Sequence, residues 1–325
     1  MGVHRRELLR LAAGGAVLPF VSQCARTHTH HGRPTRILAG FPAGGPVDIA
    51  ARLMAPWLSA QFGRPFVVDN LPGQSGNLAT KAVVDAPPDG STLLLCGPVN
   101  TINTTLFPDA GFDFSRDIAP VASLFSVPLV VEVNPSFPAR TVPEFLAVAK
   151  SQPGRVKVGY AGRGTPQHIA IELFKMMAGV DLTLVPYLGS PPALAALLIG
   201  QVDAMFDPLP SSIGHIRGGK LRPLAVTSPT RSEALSKVPP MSDFVPGYEG
   251  GSWFGLAAPK NTPASIIRGL NAAANAGLGD LKIKARLAEI GGIATAQSPS
   301  EFAKFLAAET ERFALVIRTA KITAT

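Results

Sequence analysis

The chain has two cysteines in 325 residues. Cys24 falls in the N-terminal segment, and Cys96 closes the run Leu93-Leu94-Leu95. That count excludes a disulfide framework. Cys96 reads as a buried, inert thiol, and Val21-Ser22-Gln23 is a poor lipobox for Cys24 as a lipid anchor. Charge is sparse as well, at 16% of residues, but 46% hydrophobic content supplies a core and excludes a disordered chain. Dense Lys/Arg clusters interleaved with aromatics are missing, so nucleic acid is not an expected partner. After the N-terminus, no apolar stretch reaches membrane-spanning length without charge, glycine or proline breaks. The mature chain is therefore expected to be soluble. His28-Thr29-His30-His31 has no acidic or cysteine partners at ligand spacing, so neither a metal site nor a cofactor is expected.

Glycine and proline are plentiful, at 32 and 31 residues, and they are spread along the chain as punctuation. That distribution fits many short connections between strands and helices. The length suits two domains. His4-Arg5-Arg6 followed by the apolar stretch Leu8 to Val21 predicts an export signal over residues 1–25. Arg5-Arg6-Glu7-Leu8-Leu9 resembles a twin-arginine signal, with Leu8 where phenylalanine is usual. The net charge of +8 includes arginines of this segment, so the rest keeps a mild basic excess that attracts anions.

Strand-like runs are expected at 36–39, 66–69, 92–96, 128–133, 156–161, 182–186, 204–206, 221–227 and 253–258. Helical patterns lie between most of them, at 47–62, 77–85, 142–151, 166–178, 191–199, 263–278, 281–290 and 300–320. The alternation predicts an α/β protein with mainly parallel sheets flanked by helices. The polar, Pro-rich stretch 230–249 and the run 128–135 are the expected crossings. They divide the chain into lobe 1 (35–125 plus 250–325), lobe 2 (126–228) and a crossover segment (229–249).

Two glycine-rich turns stand out. Phe41-Pro42-Ala43-Gly44-Gly45-Pro46 follows the first strand, and Gly162-Arg163-Gly164-Thr165-Pro166 follows the run 156–161. Each places proline at the first helical position. A helix N-terminus exposes unpaired N–H groups and partial positive charge, so it attracts anions. Two such ends, far apart in sequence, suggest two lobes gripping one anionic ligand.

At these motifs the chain resembles the Bug family, the extracytoplasmic solute receptors of tripartite tricarboxylate transporters. The resemblance runs from about residue 34 onward. It is carried by Phe41–Gly45 with Asp48 and Arg52, Asp69–Gly73 with Gly76-Asn77, Asp89–Leu94, Gly162–Thr165 with His168, Val185-Pro186-Tyr187, Phe206-Asp207, Leu224–Ser228 and Trp253-Phe254-Gly255. It implies a two-lobed, type II periplasmic-binding-protein fold with the ligand cleft between the lobes. It also implies a small carboxylated solute, held largely by backbone amides of two facing loops and passed to integral membrane permease subunits. A monomer is expected. Departures occur at Leu188, Ala79 and Gly97–Asn100. The last of these loops commonly lines the pocket, so the identity of the solute stays open.

Expected ligand-binding residues are Phe41, Ala43, Gly44, Gly45, Asp48, Asn100, Gly162, Gly164, Thr165, His168, Tyr187 and Asp207. Gly44 and Gly45 make a tight turn and admit a carboxylate to the amides. Asp48 complements the helix dipole or orients the loop or a water. Thr165 is an N-cap, and its hydroxyl or amide either also touches ligand or serves the cap alone. His168 is either a satisfied structural group or a ligand contact from the first helical turn. Tyr187 and Asp207 follow strands, where clefts open in α/β sheets. Tyr187 offers a hydroxyl to a carboxylate, and Asp207 either accepts from an amino group or fixes a loop. Asn100 is a polar lining residue, and Trp253-Phe254 is expected in the core near the hinge. An exported hydrolase is the alternative function. Gly73-Gln74-Ser75-Gly76 is not a G-x-S-x-G elbow, and His168 and His215 have no evident acidic orienter. A nucleotide site is disfavoured, because Gly40–Gly45 matches neither G-x-G-x-x-G nor a P-loop ending.

Overall fold

The computed structural model describes residues 33–323. The expected export signal, Cys24 and the histidines at 28–31 lie outside the described residues. The chain opens with β1 (Thr35–Ala39), α1 (Pro46–Phe62), β2 (Phe66–Asn70), α2 (Asn77–Val84), β3 (Thr92–Cys96), α3 (Pro98–Leu106), α4 (Phe114–Asp117) and β4 (Ile118–Val127). It continues through β5 (Leu129–Val133), α5 (Val142–Ser151), β6 (Lys157–Tyr160), α6 (Pro166–Ala178), β7 (Thr183–Pro186), α7 (Ser190–Leu198), β8 (Ala204–Pro208), α8 (Leu209–Arg217) and β9 (Arg222–Val226). It returns through β10 (Ser252–Pro259), α9 (Ala264–Gly279), α10 (Leu281–Glu289), β11 (Ile293–Ala294) and α11 (Pro299–Thr319).

Two sheets result. One has the order β11-β4-β10-β3-β1-β2, the other β7-β6-β8-β5-β9. Both are mixed. β1 runs parallel to β2 and β3, and β6 runs parallel to β7 and β8. The strands that carry the chain between sheets pair antiparallel: β10 with β3 and β4, and β5 with β8 and β9. The parallel strands are joined by helical crossovers, as parallel pairing requires. Central strands are buried throughout because helices cover both faces, and they are mainly apolar; every residue of β3, β5, β8 and β10 is buried, Glu132 and Asp207 included. Each sheet has its own core. Ile37, Met54, Phe125 and Leu256 belong to one, and Val131, Phe145, Phe174 and Phe206 to the other.

Local rules account for most element ends. Ser298 and Glu301 form a reciprocal capping box at α11, with Glu301 N donating to Ser298 Oγ at 3.2 Å and Ser298 N donating to Glu301 Oε2 at 2.8 Å. At α5, Thr141 caps Glu144 N at 3.3 Å, but the Glu144 carboxylate reaches back to Arg140 N. Gly179 and Gly200 adopt φ of +62° and +74° at the ends of α6 and α7.

The sheets are joined twice. β4 passes into β5 through Pro128, and β9 returns to β10 through residues 227–251. Thr227, fully buried, ties the two crossings together. Its Oγ1 accepts from Leu129 N at 2.9 Å and donates to Gly250 O at 2.8 Å. The returning segment packs on the second sheet, where Met241, Val245 and Tyr248 enter that core.

Candidate functional site

The carboxyl ends of strands from both sheets face one another across a cavity of about 30 Å³, roughly one water's share of liquid volume. Phe41, Val47, Val99, Thr165, Gln167, Ser190 and Ser252 contribute to its wall. Clefts of open α/β sheets form at this end of the strands. Three helices begin at the wall, each with proline in its first turn: α1 at Pro46, α3 at Pro98 and α6 at Pro166. Ser190, the first residue of α7, and Pro208, just before α8, complete the ring. The main-chain N–H groups of Val47, Val99 and Gln167 lie one position after those prolines and donate to no described protein group. Neither lysine nor arginine lines the cavity. Its positive potential therefore comes from helix ends supplied by both lobes.

The glycine-turn amides are committed elsewhere. Gly44 N donates to Asp48 Oδ2 at 2.9 Å, and Gly45 N donates to Pro42 O at 3.3 Å. Gly164 N donates to His168 Nδ1 at 3.3 Å, and Thr165 N to Gly162 O at 3.3 Å. Asp48 is buried and pairs with Arg52, with Nε 2.9 Å from Oδ2. Its carboxyl sits below the usual range: burial raises it, but hydrogen bonds from Arg52 and Gly44 outweigh that. Asp48 thus braces the first turn from behind, and Ala43 and Gly44 are exposed.

The turns do bring the lobes into contact. A Cβ placed on Gly189 would stand 2.8 Å from Pro42 Cδ, and one on Gly45 would stand 3.3 Å from Pro191 Cδ. At Gly164, with φ +71°, a Cβ would stand 2.4 Å from Asn103 Oδ1. An apolar cluster of Ile102, Leu106, Ile169, Phe313 and Ile317 closes the same seam beside α3 and α6.

Of the residues expected from sequence, Phe41 and Thr165 line the cavity. Thr165 Oγ1 donates to Gly162 O at 2.6 Å and accepts from His168 N at 3.4 Å, so the hydroxyl closes the turn and caps α6. Asn100 lies one residue past the wall and serves as a cap: its Oδ1 accepts from Gly97 N, and its Nδ2 donates to Thr80 Oγ1. Tyr187 packs among Leu197, Met205 and their neighbours, away from the cavity. His168 stacks on Tyr160 at 5.2 Å and faces a different cavity. Burial together with Arg163 and Lys175 lowers its proton affinity to about 4, leaving the ring neutral.

Asp207 lies fully buried beneath the wall. It accepts from Ser190 Oγ and Ser211 Oγ, from Gln167 Nε2 at 3.2 Å, and from Ser212 Oγ at 3.1 Å. It therefore aligns Ser190 and Gln167, two lining residues that the sequence reading passed over. Ser212 also donates to Glu132 Oε1 at 2.6 Å, while Oε2 of that buried carboxyl has no partner. Burial, together with the neighbouring Asp207, pushes Glu132 well above its ordinary value, and burial raises Asp207. At the wall, Gly97-Pro98 repeats the strand, glycine, proline, helix pattern of Gly45-Pro46, whereas Glu132 in Val-Val-Glu-Val carried no local signal beyond being a lone acid in an apolar strand.

This is the fold of periplasmic solute-binding proteins. The structure of R. palustris Rpa4515 with adipate is 37% identical, with a TM-score of 0.87, covering 90% of this chain and 98% of that one. MatC from Rhodopseudomonas palustris with bound malate is 31% identical at a TM-score of 0.83, covering 87% and 99%. BugT of Bordetella pertussis is 34% identical over 89% of this chain and 90% of its own length. Residues 50–322 match the model of the tripartite tricarboxylate transporter family receptor, and the chain belongs to that family.

Proposed function

We propose that this chain is a periplasmic receptor that captures a small organic carboxylate by hinge closure and delivers it to the permease subunits of a tripartite tricarboxylate transporter. The observation that carries the reading is the set of unspent N–H groups at Val47, Val99 and Gln167, on helix ends from both lobes around one cavity. Such donors favour an anion without a cationic side chain. The expected donors at Gly44, Gly45 and Gly164 act instead as turn braces. Aliphatic dicarboxylates are the first candidates, since relatives hold adipate and malate. A cavity of about 30 Å³ is too small for either, so entry requires the lobes to part. The two crossings tied by Thr227 are the hinge we infer.

Capture without turnover is supported by the site's chemistry. Among the described residues, no serine hydroxyl is hydrogen-bonded to a histidine ring, the arrangement a hydrolase nucleophile needs. Burial pushes the Cys96 thiol up to about 12, far from a reactive thiolate. Thermal unfolding and calorimetry with adipate, malate and their diamides test the reading. A dicarboxylate at a hundred times its Kd should stabilise the protein by about 2.7 kcal/mol and be recovered unchanged. Equal stabilisation by the diamides would overturn the anion site, and recovery of a cleaved product would favour the hydrolase.

A further inference from the structure

A second cavity, of about 260 Å³, lies on the far side of the Gly162–Thr165 turn. Tyr160, Arg163 and His168 of the second lobe line it on one side, and Lys321 lines it from the tail after α11. That tail reaches across the seam and is held by Ile322, which packs with Ile169 of α6. His168 is 5% exposed. Its Nδ1 accepts the Gly164 N–H, so the neutral ring carries its proton on Nε2. Nε2 has no hydrogen-bond partner among the described protein groups. The Tyr160 ring stacked on the imidazole holds it in this orientation. Arg163 and Lys321 pair with no described carboxylate, and the acid in the wall, Glu172, is paired with Lys175 at 3.4 Å. The wall thus presents two cations without a carboxylate partner among the described residues and a fixed N–H donor.

We propose that this cavity binds a small oxyanion of the phosphate class, held by Arg163, His168 Nε2 and Lys321 across the seam between the C-terminal tail and the second lobe. A guanidinium and an ammonium give charge-assisted hydrogen bonds to phosphate oxygens, and the buried imidazole fixes the anion's position. Because the ligands come from both sides of the seam, the anion clips the tail to α6. The site is separate from the solute cavity: Gln167 faces the solute cavity and His168 the oxyanion cavity.

Titrating inorganic phosphate into the isotope-labelled full chain at constant ionic strength, with chloride as control, tests the proposal by NMR. A saturable shift of the His168 Nε2–H and of the Arg163 and Lys321 amides is expected, and none with chloride. Arg163→Ala and Lys321→Ala should each weaken phosphate about tenfold, the loss of one charge-assisted hydrogen bond. Shifts at Val47 and Gln167 without His168 would mean that phosphate enters the solute cavity, and would overturn the second site. So would shifts that do not saturate, or that both variants leave unchanged. Because the two cavities report through different residues, failure here leaves the carboxylate reading standing, and the reverse holds.

Discussion

At the scale of single residues, two glycines in similar turns have different work. Gly164 sits against Asn103 of the opposite lobe, whereas a Cβ on Gly44 would meet nothing within 4 Å. Both have positive φ, +71° and +80°. Gly44→Ala should therefore cost stability through backbone strain, about 1 kcal/mol, with little change in affinity. Gly164→Ala should also hold the lobes apart and weaken solute binding about tenfold or more, which calorimetry on the two variants distinguishes. The buried carboxyls make a second prediction. Glu132 and Asp207 are raised, so the native state binds more protons than the unfolded chain between the ordinary carboxyl range and the raised values. Stability must then fall as pH rises through that window. Glu132→Gln should flatten the decline and stabilise the protein by roughly 1 kcal/mol at pH 8, read from denaturant midpoints across pH. A steeper decline in the variant would contradict this.

At the scale of elements, the helix starts decide the site. Thr165 and Ser298 are both N-caps, with hydrogen bonds of 3.4 and 3.2 Å to the third helical residue. Thr165→Val and Ser298→Ala should each cost about 1 kcal/mol in chemical denaturation. Only Thr165→Val should also weaken solute binding, because α6 begins at the cavity and no residue of α11 lines it. These starts were legible in sequence because a cap, a proline and a glycine act over a few residues. The helical spans 142–151 and 166–178 and the strand 92–96 match the observed elements. β4, α3 and α8 went unread. β4 begins with Ile118-Ala119-Pro120, and its ten residues are mostly apolar, with Ser123 and Ser126 the only polar ones, rather than alternating. Such a strand carries no period of its own, since β10 and β11 flank it and helices cover it. α3 was obscured by Asn, Thr and Val, which are weak helix formers.

At the scale of the whole molecule, Thr227 couples the two crossings, and its hydroxyl satisfies buried groups on both. Thr227→Val keeps the shape but leaves Leu129 N and Gly250 O unpaired. It should cost about 1–3 kcal/mol in denaturation. Small-angle scattering should also find a wider distribution of lobe separations without solute than for the parent chain. An unchanged midpoint would remove Thr227 from the hinge.

The order of strands and helices, the glycine turns and the proline-started helix ends follow from the amino-acid order, because each depends on contacts a few residues apart. Which of those ends meet does not. Adjacent residues on a helix point about 100° apart, so Gln167 faces the solute cavity while His168 faces the oxyanion cavity. The direction of α6 is set by its packing on the second sheet, and that packing involves residues far away in the chain. The Gly44 and Gly164 amides are committed locally, to Asp48 and His168 four residues further on, whereas the long-range packing brings Val47, Val99 and Gln167 to one cavity. Local chemistry makes the donors, and only the closure of two separately built lobes decides which of them a solute meets.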